Sequence, residues 1–260
     1  MVWRTWAPEF SAGTESLVLL IHGGSGSWRH WQRNIPALLD AGHTVWAPDL
    51  PGFGDSDAPP GSGDADSGVA PLVQGMHLLF GGKPCRVVAF SFGSLVTALS
   101  AATHPEVFSR ALFVGMPVLP LPHGRGISTR SLRNVHTEIE RNEVHRANLA
   151  AIMIHDPARI DDEAIRIQAA SAPLDRMRNR KLVTTDLCQR TLKKLQMGFE
   201  CVYGQQDVLY RDQWRQVRQA VETCSTSQGL HFIDDAGHWV QFEQAERFNK
   251  QMLTWLRLHC

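Results

Sequence analysis

The sequence has no excess of charge of either sign, because its 26 lysine and arginine residues balance 26 aspartate and glutamate residues. The absence of a basic excess argues against nucleic acid or an anionic membrane as a partner. No apolar run approaches the roughly 18 residues needed to span a bilayer. The opening segment MVWRTWAPEF also lacks the basic and apolar regions of a secretion signal. We therefore expect a cytoplasmic protein.

Cysteine is scarce as well. Five cysteines, an odd number, are scattered along the chain and never form a C-x-x-C pair, which argues against a disulfide framework and a zinc site. The 12 histidines include neither an H-x-x-x-H nor an H-x-H pair that would hold a metal ion. We expect no metal and no cofactor, and we expect a monomer or homodimer whose partner is a small-molecule substrate.

Apolar, β-branched segments alternate with helical patterns along most of the chain. Strands are predicted at VWRTWAP (2–8), SLVLLIHG (16–23), HTVWAPDLPG (43–52), CRVVAF (85–90) and ALFVGM (111–116). This alternation predicts an α/β fold with a mostly parallel central sheet and helices on both faces. A chain of 260 residues of which 43% are hydrophobic can bury the core of one such domain.

The alternation stops between Pro117 and Met197, where helical segments but no strand are predicted. The strand pattern returns at FECVYG (199–204) and again at LHFID (230–234), before a final helix. Residues 1–116 and 198–260 are therefore predicted to form the core, and residues 117–197 an inserted helical cap. An insertion after a central strand would lie over the carboxyl edge of the sheet, where ligands bind in open α/β folds.

The segment VVAFSFGSLV (87–96) sets a serine between a predicted strand and a predicted helix. The pattern resembles the G-x-S-x-G turn that presents a nucleophile, in which small neighbours allow a strained backbone. Here Ala89 replaces the first glycine, and Gly93 supplies the second. The segment alone does not distinguish a nucleophilic Ser91 from an ordinary serine that caps a helix.

Two further candidate side chains follow later strands. Asp207 lies after the strand at 199–204, and His238 lies after the last strand. A nucleophilic serine needs a base, and the base needs an acid that orients it. The chain order Ser91, Asp207, His238 is the order found in α/β-hydrolases. Asp234 and Asp235 are too close to His238 in sequence to serve as this acid, so we expect Asp207 in that role.

The glycine-rich segment IHGGSGSW (21–28) follows a buried strand, and its glycines let the backbone approach a ligand closely. We expect the N–H groups of Gly24 and Phe92 to form an oxyanion hole. Ser25 is expected to line the substrate pocket. Trp239, next to His238, either lines the pocket or packs in the core, and we expect it to line the pocket. The alternative for the glycines is a tight loop without a catalytic role.

These segments together resemble the α/β-hydrolase superfamily over almost the whole chain. The matching motifs are HGGSG (22–26), DLPGFGDSD (49–57), AFSFGS (89–94), THPEVFSRALFVG (103–115), YGQQD (203–207) and DDAGHWVQFE (234–243). The resemblance implies an α/β-hydrolase fold with a helical cap. The segment GHWVQFEQAERFN (237–249) is similar to meta-cleavage-product hydrolases, which break C–C bonds in vinylogous 1,5-diketones. Those enzymes usually have a longer glycine loop, and an asparagine where this chain has Phe90.

Other polar residues are expected to serve the fold. His22 is expected to satisfy backbone groups of the glycine loop. The turn after the strand at 43–52 resembles a structural turn of the family, through Asp49, Gly52, Gly54 and Ser56. The segment LDRMRNRKL (174–182) brings four cations into the cap, which we expect to be mostly solvated: Arg176, Arg178, Arg180 and Lys181. One of them could reach a substrate carboxylate, as a cap arginine does in the C–C hydrolases, but the sequence singles out none.

The sequence thus leads to the hypothesis of a serine hydrolase that acts on a small, largely apolar carboxylic ester, thioester or lactone. A C–C bond hydrolase would use the same triad, and an acyltransferase would replace water by another acceptor. Haloalkane dehalogenation is disfavoured because the nucleophile position holds Ser91 rather than an aspartate. A non-catalytic receptor for a small ligand is the alternative from a different class of protein.

Overall fold

The central sheet contains seven strands in the order β1-β3-β2-β4-β5-β6-β7. The strands are β1 (Val2–Trp6), β2 (Ser16–Ile21), β3 (His43–Asp49), β4 (Cys85–Phe90), β5 (Phe108–Val114), β6 (Gly198–Gly204) and β7 (Ser227–Ile233). β1 pairs antiparallel to β3, and the other neighbouring pairs are parallel. This computed structural model describes residues 1–9, 16–59, 63–121, 128–177 and 180–258. The predicted mostly parallel α/β fold is confirmed.

Helices cover both faces of the sheet, because successive strand residues point to opposite sides and each side is apolar. The helices are α1 (Ile35–Asp40), α2 (Val69–Phe80), α3 (Phe92–Thr103), α4 (Glu138–Asn148), α5 (Asp162–Ser171), α6 (Leu187–Leu192), α7 (Trp214–Glu222), α8 (Val240–Glu243) and α9 (Ala245–Arg257). α2, α3 and α7 pack on one face, and α1 and α9 on the other. None of the described helices is long and apolar enough to cross a membrane.

Between β5 and β6, the described residues form helices and loops without a strand. We call residues 117–197 the cap segment. Its first helix, α4, begins at Glu138 because Thr137 and Glu140 form a capping box: the Glu140 N–H donates to Thr137 Oγ1 at 3.2 Å, and the Thr137 N–H donates to the Glu140 carboxylate at 3.1 Å. A π-helical turn at Leu149–Met153 extends α4. That this segment is an inserted cap with these boundaries stays a prediction.

The parallel strands determine where the candidate residues meet. The carboxyl ends of β2, β4, β6 and β7 lie at one edge of the sheet, since these strands run in the same direction. The loop after β2 carries the glycine-rich segment, the turn after β4 carries Ser91, and the loops after β6 and β7 carry Asp207 and His238. All four segments therefore come together at this edge.

Candidate active site

Ser91 occupies a sharp turn between β4 and α3. Its backbone has φ 49° and ψ −118°, a conformation that is rare for a residue with a side chain and that the surrounding structure must hold. The Ser91 N–H donates to a carbonyl of β5 at 2.8 Å. A Cβ at Gly93 would collide with the carbonyl oxygen of His22, so the turn requires glycine there. Ala89 lies within β4 and pairs with both neighbouring strands, and its methyl group is accommodated.

Ser91, His238 and Asp207 form a continuous hydrogen-bonded chain. His238 Nε2 lies 2.8 Å from Ser91 Oγ, and His238 Nδ1 lies 2.7 Å from Asp207 Oδ2. The other oxygen, Asp207 Oδ1, accepts the Leu209 N–H at 2.9 Å, and the Asp207 side chain is fully buried. Because a carboxylate can only accept hydrogen bonds, Asp207 holds the proton on Nδ1 and leaves Nε2 able to accept the serine proton.

The loop that carries His238 is held on both sides of the histidine. The Gly237 N–H donates to the buried carboxylate of Glu243 at 2.6 Å. The Trp239 N–H donates to the Met153 carbonyl, in the cap segment, at 2.7 Å. The Glu243 carboxylate also accepts two backbone N–H groups of the cap segment, at 3.0 and 2.8 Å. The position of His238 therefore depends on contacts with the cap segment.

Two buried histidines fix the glycine loop at residues 23–26. His22 Nε2 accepts the Leu50 N–H at 2.8 Å, and its Nδ1 donates to the Gly23 carbonyl at 2.7 Å. His30 Nδ1 accepts the Gly23 N–H at 3.2 Å. Burial lowers the pKa of both rings, and the nearby His22 and His238 add to the effect at His30. Both rings are therefore neutral and keep their acceptor nitrogens. Sequence reasoning missed His30, because no motif marks it.

Gly24 and Phe92, the two residues expected to form an oxyanion hole, belong to different segments of the chain. Phe92 begins α3, where the first N–H groups have no partner within the helix. Gly24 follows β2, and both residues line the same cavity as Ser91. Two backbone N–H groups at such positions would stabilise the negative charge on a carbonyl oxygen under attack. Their assignment as an oxyanion hole stays a prediction.

The candidate catalytic residues open into a cavity of about 570 Å³. Ser91, His238 and Ser25 contribute to its wall. That Ser25 contacts a substrate stays a prediction. The cap segment contributes apolar side chains and two amides, namely Ile152, Met153, Val183, Asn148 and Gln168. The volume, and a lining that combines apolar side chains with several polar groups, are those of a site for a small organic molecule.

Arg180 is a charged residue of the cap segment that lies on the cavity wall. Its guanidinium pairs with Asp175 at 3.0 Å and lies 5.7 and 5.6 Å from the rings of Phe53 and Phe92. The expectation that the cations of this segment are mostly solvated does not describe Arg180, whose side chain is 24% exposed. Of the other three, Arg176 donates to the Gly54 carbonyl at 3.2 Å, and Arg178 lies outside the described residues.

Trp239 does not occupy the position expected from the sequence. Its indole is fully buried, stacks on Phe242 at a centroid distance of 4.1 Å and donates to the His30 carbonyl at 3.1 Å. It packs behind the loop of His238, and the described residues that line the cavity do not include it. The indole is an apolar surface with one donor, and the core satisfies both properties.

The turn after β3 is built around Asp49. Its carboxylate accepts two backbone N–H groups, at 2.9 and 3.1 Å, and pairs with Arg4 at 2.9 Å. Gly52 and Gly54 have positive φ values of 81° and 48°, and the Ser56 hydroxyl donates to the Asp49 carbonyl at 2.6 Å. These contacts shape the turn, as the sequence predicted.

The metal-ligating and thiol side chains of the described residues form no further candidate site. Within the described ranges, no group of three or more His, Cys, Asp or Glu side chains is arranged to hold a metal ion. The described cysteines are buried free thiols. Burial raises the pKa of the Cys85 thiol to about 12, and burial also raises that of Cys201, so these thiols are poor nucleophiles.

A serine in a strand-to-helix turn, above a mostly parallel sheet, is the architecture of α/β hydrolases. Residues 18–251 match the family model described as "Alpha/beta hydrolase family", and the chain belongs to that family. A 2-hydroxy-6-oxononadienedioate/2-hydroxy-6-oxononatrienedioate hydrolase from Burkholderia vietnamiensis is 25% identical over 265 residues, which cover 96% of this chain and 89% of the relative. A 2-hydroxy-6-oxo-6-phenylhexa-2,4-dienoate hydrolase from Comamonas testosteroni is 23% identical over 278 residues, which cover 95% of this chain and 89% of the relative.

Solved structures resemble the chain along its whole length. A meta-cleavage product hydrolase from Pseudomonas fluorescens has a TM-score of 0.76 and 24% identity, covering 98% of this chain and 93% of its own. A thermophilic esterase from Thermogutta terrifontis has a TM-score of 0.74 and 21% identity, covering 99% and 94%. At this identity the likeness shows the fold, which C–C hydrolases and esterases share.

Proposed function

We propose that this chain hydrolyses acyl compounds through a covalent intermediate on Ser91. The observation that carries the proposal is the hydrogen-bonded chain from Asp207 through His238 to Ser91, which ends in the cavity. A general base must lie within hydrogen-bonding distance of the proton it removes, and a third group must orient it. Both distances, 2.8 and 2.7 Å, satisfy this requirement.

In the first half of the proposed reaction, His238 Nε2 takes the proton of Ser91 as Ser91 Oγ attacks the carbonyl carbon. The carbonyl oxygen becomes negatively charged and accepts hydrogen bonds from the Gly24 and Phe92 N–H groups. Asp207 stabilises the positive charge on the histidine ring. The ring then protonates the leaving oxygen or sulfur, the bond to the carbonyl carbon breaks, and the alcohol or thiol departs.

In the second half, a water molecule attacks the ester formed on Ser91. His238 removes a proton from this water and delivers it to Ser91 Oγ, so the enzyme is regenerated and a carboxylic acid is released. The apolar side chains of the cap segment favour a small substrate of apolar character, namely a carboxylic ester, a thioester or a lactone. An acceptor other than water would make the same intermediate that of an acyltransferase.

Arg180 supports a second candidate, the hydrolysis of a C–C bond in a substrate that carries a carboxylate. Arg180 and Ser91 both line the cavity, and guanidinium groups bind carboxylates through paired hydrogen bonds. The relatives from Burkholderia vietnamiensis and Comamonas testosteroni carry names of hydrolases for such acids. Phe90, the residue directly before Ser91, is fully buried and offers no polar group to a dienolate. Its side chain therefore favours ester hydrolysis over hydrolysis of a C–C bond.

Labelling with a fluorophosphonate probe tests the nucleophile, with intact-mass detection of the wild type and of Ser91→Ala. We expect one adduct on the wild type and none on the variant. Turnover of p-nitrophenyl esters of increasing chain length and of a vinylogous 1,5-diketone acid then separates the two candidates by kcat/KM. A wild-type protein that neither reacts nor turns over any of these compounds, but is stabilised by one of them, would contradict the proposal and indicate a receptor.

A further inference from the structure

The glycine loop is tied to the cap segment through one side chain, Ser25. We propose that Asp175, in the cap segment, is a positioning residue that holds this loop, and with it the Gly24 N–H, in place beside Ser91. The inference rests on the proposed function, because it assigns Asp175 a part in aligning the proposed oxyanion hole. The three side chains Ser25, Asp175 and Arg180 are called the latch.

The backbone of Ser25 adopts a conformation that needs support from its surroundings. Its φ is 54°, in the left-handed region that a residue with a side chain adopts only where its surroundings hold it. The Ser25 hydroxyl donates to Asp175 Oδ2 at 2.6 Å, across 150 residues of sequence. Asp175 is 6% exposed, and its other oxygen accepts the Met177 N–H at 2.9 Å. The acceptor is thus itself fixed, and it can keep Ser25 in this conformation.

Arg180 contacts Asp175 and Ser25 and packs against Gly24. Its Nη1 lies 3.0 Å from the same Asp175 Oδ2 that Ser25 contacts, and its Nη2 donates to Ser25 Oγ at 3.3 Å. A Cβ placed on Gly24 would lie 2.7 Å from Arg180 Nη1, so the guanidinium is packed against Gly24. The Asp175 carboxylate therefore holds both Ser25, the residue after Gly24, and the Arg180 guanidinium that packs against Gly24.

The consequence follows from the geometry of oxyanion stabilisation. The donor must point at the oxygen as its charge develops, and a misplacement of about 1 Å can cost roughly 100-fold in rate. Ser25 directly follows Gly24, so a change in the Ser25 backbone turns the peptide groups beside it. Loss of the latch should lower kcat and leave KM almost unchanged, because the donor acts in the transition state more than in substrate binding.

The experiment compares Ser25→Ala, Asp175→Asn and the double variant in steady-state ester hydrolysis. Each single change should lower kcat about tenfold, which is less than the roughly 100- to 1,000-fold loss when an oxyanion donor is removed outright. The double variant should also lose about tenfold rather than about 100-fold, because the two side chains act through one contact. KM should stay within about twofold in all three.

Glu200→Gln is the matched control. The Glu200 carboxylate is also buried, and its oxygens lie 2.7 Å from His231 Nε2 and 3.9 Å from Arg110 Nη2. Glu200 lies near the start of β6, at the edge of the sheet opposite to Ser91 and away from the glycine loop. We expect its melting temperature to fall as in Asp175→Asn, while its kcat remains within about twofold of the wild type.

A trifluoromethyl ketone analogue of the best ester supplies a second readout. It adds reversibly to the serine, and the oxygen of the adduct occupies the oxyanion hole. Its inhibition constant should rise in the latch variants by the factor by which kcat/KM falls, which a loosened fold alone would not produce. If the wild type turns over the ester and kcat is unchanged in Ser25→Ala and Asp175→Asn, the latch alone is overturned. An equal loss of kcat in Glu200→Gln would also overturn the latch alone. A wild type without Ser91-dependent turnover would overturn the proposed function and the latch together.

Discussion

Replacing Asp207 by asparagine reverses the direction of one hydrogen bond in the candidate site. The asparagine oxygen can keep the Leu209 N–H, which Asp207 Oδ1 accepts at 2.9 Å. The amide NH₂ group then faces His238 Nδ1 at the position of Oδ2, 2.7 Å away. Because an amide NH₂ can only donate, Nδ1 must be unprotonated and Nε2 must carry the proton. A protonated Nε2, 2.8 Å from Ser91 Oγ, cannot accept the proton of the serine.

The expected loss in kcat is about 10,000-fold, the size that the corresponding change produces in a serine protease triad. It corresponds to about 5.4 kcal/mol in the activation free energy, at 1.36 kcal/mol for each factor of ten. The full effect is expected because Asp207 is completely buried, so bulk water does not replace the missing acceptor. The free energy of unfolding should change far less, since asparagine has almost the same volume and keeps one hydrogen bond.

The assay is the initial rate of ester hydrolysis at pH 8, with thermal unfolding followed by circular dichroism for each variant. Asp235→Asn is the control, because Asp235 is an exposed carboxylate three residues from His238. Its φ is 55°, a conformation that asparagine tolerates well. We expect this control to retain its activity. If Asp207→Asn keeps more than about a tenth of the wild-type kcat, the tautomer argument is wrong and another group orients His238.

Three other outcomes follow from the described contacts. Below pH 6.5, the ordinary pKa of histidine, the unfolded chain binds protons that the buried His22 and His30 exclude, so the free energy of unfolding should fall with pH by up to about 1.4 kcal/mol per unit for each ring. Urea unfolding at pH 7 and pH 5 measures this fall, which should be smaller in His30→Gln than in the wild type. If the free energy of unfolding falls equally in both proteins, His30 is not one of the groups that cause the fall. Gly93→Ala should not yield folded protein, because its Cβ would meet the His22 carbonyl. The control Gly42→Ala has open space around its Cβ and should lower the free energy of unfolding by only about 1–2 kcal/mol, because of the positive φ of Gly42. If the two variants have the same melting temperature, the predicted clash at Gly93 is wrong. The Cys85 thiol, with a pKa of about 12, should react with iodoacetamide at pH 8 only after unfolding, and rapid labelling of the native protein would show that it is accessible.

The sheet and the candidate catalytic side chains could be predicted because their signals are local in sequence. Buried parallel strands require continuous apolar segments, and CRVVAF (85–90) matches β4 residue for residue. Ser91, Asp207 and His238 lie within about five residues of the carboxyl ends of β4, β6 and β7, so a parallel sheet alone brings them to one edge. The prediction needed no knowledge of distances, only of the order and direction of the strands.

The residues that sequence reasoning missed act through contacts between distant parts of the chain. Glu243 and Asp175 carry charge, and charged residues usually lie on the surface, yet both are buried because N–H and hydroxyl donors surround their oxygens. His30 lies in a short helical turn, WRHW. Two of these four residues are apolar, and this pattern does not indicate that the histidine is buried. The position of Trp239 next to His238 in the sequence predicts that it lines the pocket, but neighbouring side chains in a loop can point to opposite sides, and the indole lies in the core.

The same buried carboxylates bear on whether the cap segment could be removed from the core. A buried carboxylate is stable only when it is fully hydrogen-bonded, because the loss of solvation is otherwise too costly. Without the cap segment, Glu243 would lose two of the N–H groups that it accepts, at 3.0 and 2.8 Å. Ser25 would lose the Asp175 carboxylate that holds its backbone at φ 54°. A core made by joining residue 116 to residue 198 would therefore lose contacts that hold the loops of Gly24 and His238. The cap segment thus contributes to the alignment of the candidate catalytic residues as well as to the cavity wall.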